Sequence, residues 1–114
     1  SGSGKPLRQF IHSVDLLKLI MIILLKYKEK DSIILSVSEN EEISINNISK
    51  IIAKKFNYLE NLEFDISKSD GQYKKTANNS KLMNLIGNFK FINIKDGINN
   101  TIDWFLENYD NIRK

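Results

Sequence analysis

The sequence predicts a small α/β fold with an incomplete sheet. Two observations point there. Extended-type runs and helical-type stripes alternate along the chain, and the strands so read are too few to complete a doubly wound sheet. Length sets a third bound. With 114 residues there is material for one core, since a domain of this size buries roughly 60–70% of its unfolded surface.

The elements follow in order. Ser1-Gly2-Ser3-Gly4 reads as the remnant of an appended tag and stands outside the fold argument, which leaves residues 5–114 as the domain. The sequence then opens at Lys5-Pro6 within what looks like a strand, as expected of a piece of a longer chain. Leu7 to His12 is a short extended run. Ser13 is placed to cap a helix from about Val14 to Tyr27, with Asp15 in its first turn where the helix dipole favours an anion. That helix is apolar on nearly every side and should be buried on nearly every side. So short a chain cannot cover it, so part of its surface is expected against missing chain or a second copy.

Ile33 to Val37 reads as a buried strand, and the polar run Ser38 to Glu42 as a loop. Ser44 caps a second helix whose inward face is Ile45, Ile48, Ile51, Ile52 and Phe56 at helical spacing. Leu62, Phe64 and Ile66 alternate with Glu63 and Asp65, the period of a half-buried strand. A polar loop spans Ser67 to Asn79 and is expected to be mobile without ligand. Ser80 to Ile86 is a short helix ended by Gly87 in a left-handed conformation. Phe89, Phe91, Ile92 and Ile94 make another extended run. The last helix runs from about Lys95 to Asn111, with Ile98, Ile102, Phe105, Tyr109 and Ile112 facing inward.

Composition removes several function classes. There is no cysteine, so a disulfide scaffold and a thiolate metal site are both excluded. The formal charge is +3, with 17 basic and 14 acidic residues interspersed. Ile, Lys and Asn are over-used, as in AT-rich coding, so a mild basic excess does not argue for nucleic acid. Neither a basic stripe nor an RNA-binding aromatic motif is present. The apolar stretch Leu16 to Leu25 is interrupted by Lys18 and followed by Lys26, Lys28 and Lys30. A membrane span needs about 20 apolar residues, so a buried helix is the reading, with no membrane partner and a cytoplasmic location. Sequons at Asn47, Asn78 and Asn99 are what chance gives in so Asn-rich a chain.

Few residues suggest chemistry. His12 is the only histidine. It stands at a strand-to-helix junction, where a structural role is favoured and no metal site is expected. Lys68-Ser69-Asp70-Gly71-Gln72-Tyr73-Lys74-Lys75-Thr76 stands out. It is too polar for a core, its glycine permits a tight turn, and it combines a carboxylate with three lysines. Such a loop can wrap a phosphorylated ligand through charge-assisted hydrogen bonds. The alternative is a solvated loop, which the residues alone favour.

Pro6-Leu7-Arg8-Gln9-Phe10-Ile11-His12-Ser13-Val14-Asp15 resembles the Pro-x-Arg-Glu-Phe-x-(His/Tyr)-x-x-Asp segment of the GDP-L-fucose synthases. The 68–76 run, followed by Asn79-Ser80-Lys81-Leu82, is similar to that family's Lys-x-Asp-Gly motif, and the ending Trp104-Phe105-x-x-Asn108-Tyr109 also fits. The resemblance covers residues 5–114. It implies the C-terminal, substrate-binding portion of an extended short-chain dehydrogenase/reductase. It also implies a GDP-sugar partner, NADPH bound by a missing N-terminal Rossmann portion, and conversion of GDP-4-keto-6-deoxy-mannose to GDP-L-fucose. Carried over residue by residue, it implies that Arg8 and Lys75 contact the diphosphate and that Asp70 helps hold the nucleotide end. Lys68 shapes the loop. Gln9 departs from the family's Glu, and Leu17 from a small residue. The alternatives are another nucleotide-sugar epimerase or dehydratase, or an interaction domain of the same fold.

Catalytic residues are not expected in this chain. No Gly-rich turn follows a strand to bring backbone N–H groups to a pyrophosphate. A Tyr-x-x-x-Lys pair is absent too, since Asp31, Leu62, Ala77 and Arg113 lie four residues after the four tyrosines. The family's epimerisation Cys and His are expected upstream. The isolated chain is therefore expected to be inactive and, with its greasy first helix, to self-associate.

Overall fold

The structure, a computed structural model, describes residues 2–111. Among these are four α-helices and one two-stranded sheet, an incomplete α/β arrangement as the sequence predicts. The first strand, β1 (Leu7–Arg8), pairs antiparallel with β2 (Ile43–Ser44), with Leu7 opposite Ser44 and Arg8 opposite Ile43. Leu7 also forms a parallel bridge to Lys74, and its N–H donates to the Tyr73 carbonyl at 2.7 Å. β1 is thus flanked on both sides, by β2 and by the polar loop.

Helix α1 (Ser13–Lys26) is capped one residue earlier than expected. His12, not Ser13, is the N-cap, its Nδ1 accepting from the Val14 N–H at 3.1 Å. Asp15 lies in the first turn and is buried, and its Oδ2 accepts from the Ile92 N–H at 2.7 Å. The acid thus serves the dipole and ties α1 to the segment entering the last helix. Only Leu19 among the apolar residues of α1 is buried, while Leu17, Ile20, Met21, Leu24 and Leu25 are exposed.

Helix α2 (Ile45–Lys55) begins where the sequence predicts, with Ser44 Oγ accepting from the Asn47 N–H at 3.0 Å. Helix α3 (Ser80–Ile86) ends at Gly87, whose φ is +73° but whose ψ of −134° lies outside the left-handed helical region. Helix α4 (Ile94–Asn108) is capped by Asn93, continues into one 3₁₀ turn at Tyr109–Asn111, and packs on α2. Ile102 is buried in it, Phe105 and Tyr109 meet edge to face at 5.3 Å, and Ile112 lies outside the described residues. No helix among the described residues is long and apolar enough to cross a membrane.

Three expected extended runs are not strands. Among the described residues Ile33–Val37, Leu62–Ile66 and Phe89–Ile94 have no ladder partner. A strand needs a neighbour to take its backbone N–H and C=O groups. Side chains do that work at the first of these runs: Asn79 Nδ2 donates to the Ser36 carbonyl at 2.9 Å, and Gln9 Nε2 to the Val37 carbonyl at 3.0 Å. Ile34 and Ile66 are exposed, against the burial their strands require.

The segment ahead of β1 is well packed. Gly2 and Gly4 are buried, both at positive φ. A Cβ on Gly4 would stand 2.5 Å from Phe64 Cε1, so the close approach of the Phe64 ring requires glycine there.

Candidate functional site

Arg8 and Lys75 line one cleft of about 310 Å³, walled by Gln9, Phe10 and the 34–37 segment. Arg8 arrives from β1 and Lys75 from the polar loop, and the Leu7–Lys74 bridge brings the two together. A guanidinium carries five N–H donors. Two are used internally, Nη1 to the Leu7 carbonyl at 2.7 Å and Nη2 to the Gln72 carbonyl at 2.8 Å. These contacts fix the plane of the fork and bind it to the loop. Among the described residues no carboxylate pairs with Arg8 or Lys75, whereas Lys74 pairs with Glu42 at 3.0 Å. Two cations in one cleft without a protein counter-ion suit an anionic ligand.

The loop from Ser67 to Asn79 is tied along its length. Thr76 Oγ1 donates to Glu42 Oε2 at 2.6 Å. The Thr76 hydroxyl first, and then Lys74, hold the Glu42 carboxyl below its ordinary 4.5. Reciprocally, Glu42 raises Lys74. Asn78 donates to Glu39, and Lys81 Nζ reaches the Tyr27 hydroxyl at 2.7 Å.

Gln9 is the residue that sequence reasoning passed over. The two N–H groups of its Nε2 are shared among the carbonyls of Val37, Ser38 and Ala77 at 3.0, 3.2 and 3.0 Å, and its Oε1 accepts from the Ala77 N–H at 2.7 Å. One amide therefore joins β1, the 34–38 wall and the loop that carries Lys75. The signal was its position beside Arg8, at a site where the resemblance implies Glu. A carboxylate has no N–H to give to three carbonyls.

Asp70 does not line this cleft. Its carboxylate accepts from the Ser3 N–H at 2.5 Å and the Ser3 hydroxyl at 2.7 Å. The Ser3 hydroxyl and then its N–H hold the Asp70 carboxyl below its ordinary 3.8. Gly71 has a φ of +72°, the turn its lack of a side chain permits, and its N–H donates to Ser69 Oγ at 3.1 Å. A second, apolar cleft of about 380 Å³ adjoins the first across Phe10 and Ile11. Its lining is mostly apolar, and its histidine, His12, uses Nδ1 to cap α1.

Short paired strands, four helices and a basic cleft at the strand-to-loop crossing make a partial α/β domain. No family model matches the chain. Curated relatives do. A probable GDP-L-fucose synthase of Drosophila melanogaster is 45% identical over 113 residues, covering 99% of this chain and 35% of that protein. A GDP-L-fucose synthase of Dictyostelium discoideum is 46% identical over the same length and shares. Among solved structures, a GDP-L-fucose synthetase of Naegleria fowleri bound to NADP superposes with a TM-score of 0.95 at 43% identity, covering 99% of this chain and 35% of that one. The chain matches the C-terminal part of GDP-L-fucose synthases over nearly its whole length. It spans about a third of the length of the curated relatives it matches.

Proposed function

We propose that the intact protein converts GDP-4-keto-6-deoxy-mannose to GDP-L-fucose with NADPH in the cytoplasm, and that this chain supplies part of the GDP-sugar site. The observation that carries the reading is the pairing of Arg8 and Lys75 in one cleft with no carboxylate against either. In this reading the guanidinium meets one phosphate with its spare N–H groups, and the ammonium neutralises the other as a point charge. Asp70 contributes by holding the turn that carries Lys75.

The residues present do not fit a dinucleotide. Among the described residues none of the five glycines lies in a turn from a strand into a helix N-terminus. Cofactor binding and the chemical step therefore belong, in this reading, to chain beyond these residues, and the isolated piece has no turnover. That further chain is also proposed to cover Leu17, Ile20, Met21, Leu24 and Leu25 of α1, the exposed face that drives self-association when the piece is alone.

Calorimetric titration with GDP, on the wild type and on an Arg8→Ala/Lys75→Ala double variant, tests the clamp. Loss of two phosphate contacts predicts a fall in affinity of at least tenfold. Unchanged affinity in the double variant sinks the assignment.

A further inference from the structure

The polar contacts of Asp70 go to the start of the chain and not into the Arg8–Lys75 cleft. Both carboxylate oxygens are taken by Ser3, one by its N–H and one by its hydroxyl. Gly2 adds a third tie, its N–H donating to the Asp65 carbonyl at 2.6 Å. A side chain at Gly2 would put a Cβ 2.6 Å from Asp70 Oδ1, and the φ of +91° there already disfavours one. Gly4 continues the seam, its carbonyl accepting from the Asn46 N–H at 2.7 Å, at the start of α2. Residues 2–4 thus lie between the 65–71 turn and α2, with two glycines where side chains would collide. A flexible appendage has no reason to be built this way. The alignments with the fly and slime-mould relatives span 113 of the 114 residues and so run into this segment.

We propose that Ser3 is a positioning residue of the nucleotide site: by latching Asp70 it sets the loop so that Lys75 stands with Arg8 in the cleft. Ser3 touches no ligand in this role. The latch anchors the front of the loop, Arg8 and the Leu7–Lys74 bridge hold its middle, and Gln9 holds its far end at Ala77. Losing the first anchor leaves four residues between Asp70 and Lys75 with a single backbone bridge to β1, at Lys74. The proposal rests on the Arg8–Lys75 clamp for its effect on binding, but the latch itself is a statement about the loop.

The test uses the intact protein with Ser3→Ala, Ser3→Thr and Asp70→Ala variants, read by amide hydrogen exchange and by GDP titration. Ser3→Ala and Asp70→Ala are expected to speed exchange of amides 70–75 and weaken GDP binding about tenfold. Exchange in α2 and α4 should stay at wild-type rates. Ser3→Thr keeps the hydroxyl and restores both readings. Wild-type exchange at 70–75 in both Ser3→Ala and Asp70→Ala overturns the latch. Faster loop exchange with unchanged GDP affinity upholds the latch and removes its link to the site. The separate Arg8→Ala/Lys75→Ala titration then tells whether the clamp reading has failed as well.

Discussion

Gln9 uses both the donor and the acceptor ends of its amide, and that makes it sensitive to the smallest chemical change. Gln9→Glu removes all three donations and sets a carboxylate against the carbonyls of Val37, Ser38 and Ala77. A loss of about 1–3 kcal/mol is expected at neutral pH from leaving partly buried groups unsatisfied, measurable by urea denaturation. Gln9→Met, of similar volume, should lose the same bonds without the added charge and fall between the two. Glu42 gives the pH dependence of the loop. Its carboxyl is held below the ordinary 4.5 by Thr76 first and then by Lys74. A depressed carboxyl favours the folded loop above its ordinary value, and the contribution disappears as pH falls through the depressed one. An NMR titration of the Glu42 side chain should give a midpoint below 4.5, and Thr76→Ala should move it upward. A midpoint unaffected by that substitution would mean the hydroxyl contact is not formed in solution.

The elements differ in how much of their stability is their own. α2 carries a serine cap and ends in Lys54 and Lys55, so its ends match the dipole. Ser44→Ala should cost about 0.5–2 kcal/mol, the range for lost N-caps, seen as a lower thermal midpoint. α3 is seven residues long, too short to persist without tertiary contacts. It is held through Leu82, which is fully buried. Leu82→Ala should cost about 2–5 kcal/mol as a core truncation, and Leu85→Ala, on the exposed side, much less. α1 is the opposite case. It has the longest apolar run in the chain, yet it buries one apolar side chain among the described residues. Leu24→Glu with Leu25→Lys should shift the isolated piece toward monomer in sedimentation analysis while leaving its helix signal in place. A wild-type piece already monomeric at high concentration would remove the self-association part of the reading.

The whole molecule has the dimensions of an open structure. Its radius of gyration is 16.7 Å, where a closed domain of this length has about 13 Å. The accessible surface of 8661 Å² compares with about 6,400 Å² for a folded monomer of the same mass. Among the described residues Leu19, Val37, Ala53, Leu82 and Ile102 make up the buried hydrophobic core. The excess surface includes the α1 face and the unpaired 33–37 run, both of which need a neighbour this chain does not supply. The isolated piece is expected to unfold with a shallow, early urea transition. The same residues inside the intact protein should unfold later and more steeply, because more apolar surface is then buried.

Local chemistry made much of this legible from residues alone. The helix periods of α1, α2 and α4, the Ser44 cap and the stop at Gly87 are written in side chains a few positions apart. The residue-by-residue resemblance marked Arg8 and Lys75, and the structure brings both into one cleft. β1 lies within the extended run expected from Leu7 to His12, but strand pairing was not legible, because alternation shows which face of a run is apolar and not whether another backbone lies beside it. Ile33–Val37 and Leu62–Ile66 have the pattern without the partner, whereas Ile43–Ser44 pairs with β1 with hardly any pattern at all. Nor could the sequence show that Gln9 joins three segments, or that Ser3 holds Asp70 across 67 positions. Contacts between residues so far apart in the chain exist only once the fold has brought them together. The sequence by itself determined the helices and the cations; the tertiary structure decided which carbonyls, carboxylates and loops those residues would hold.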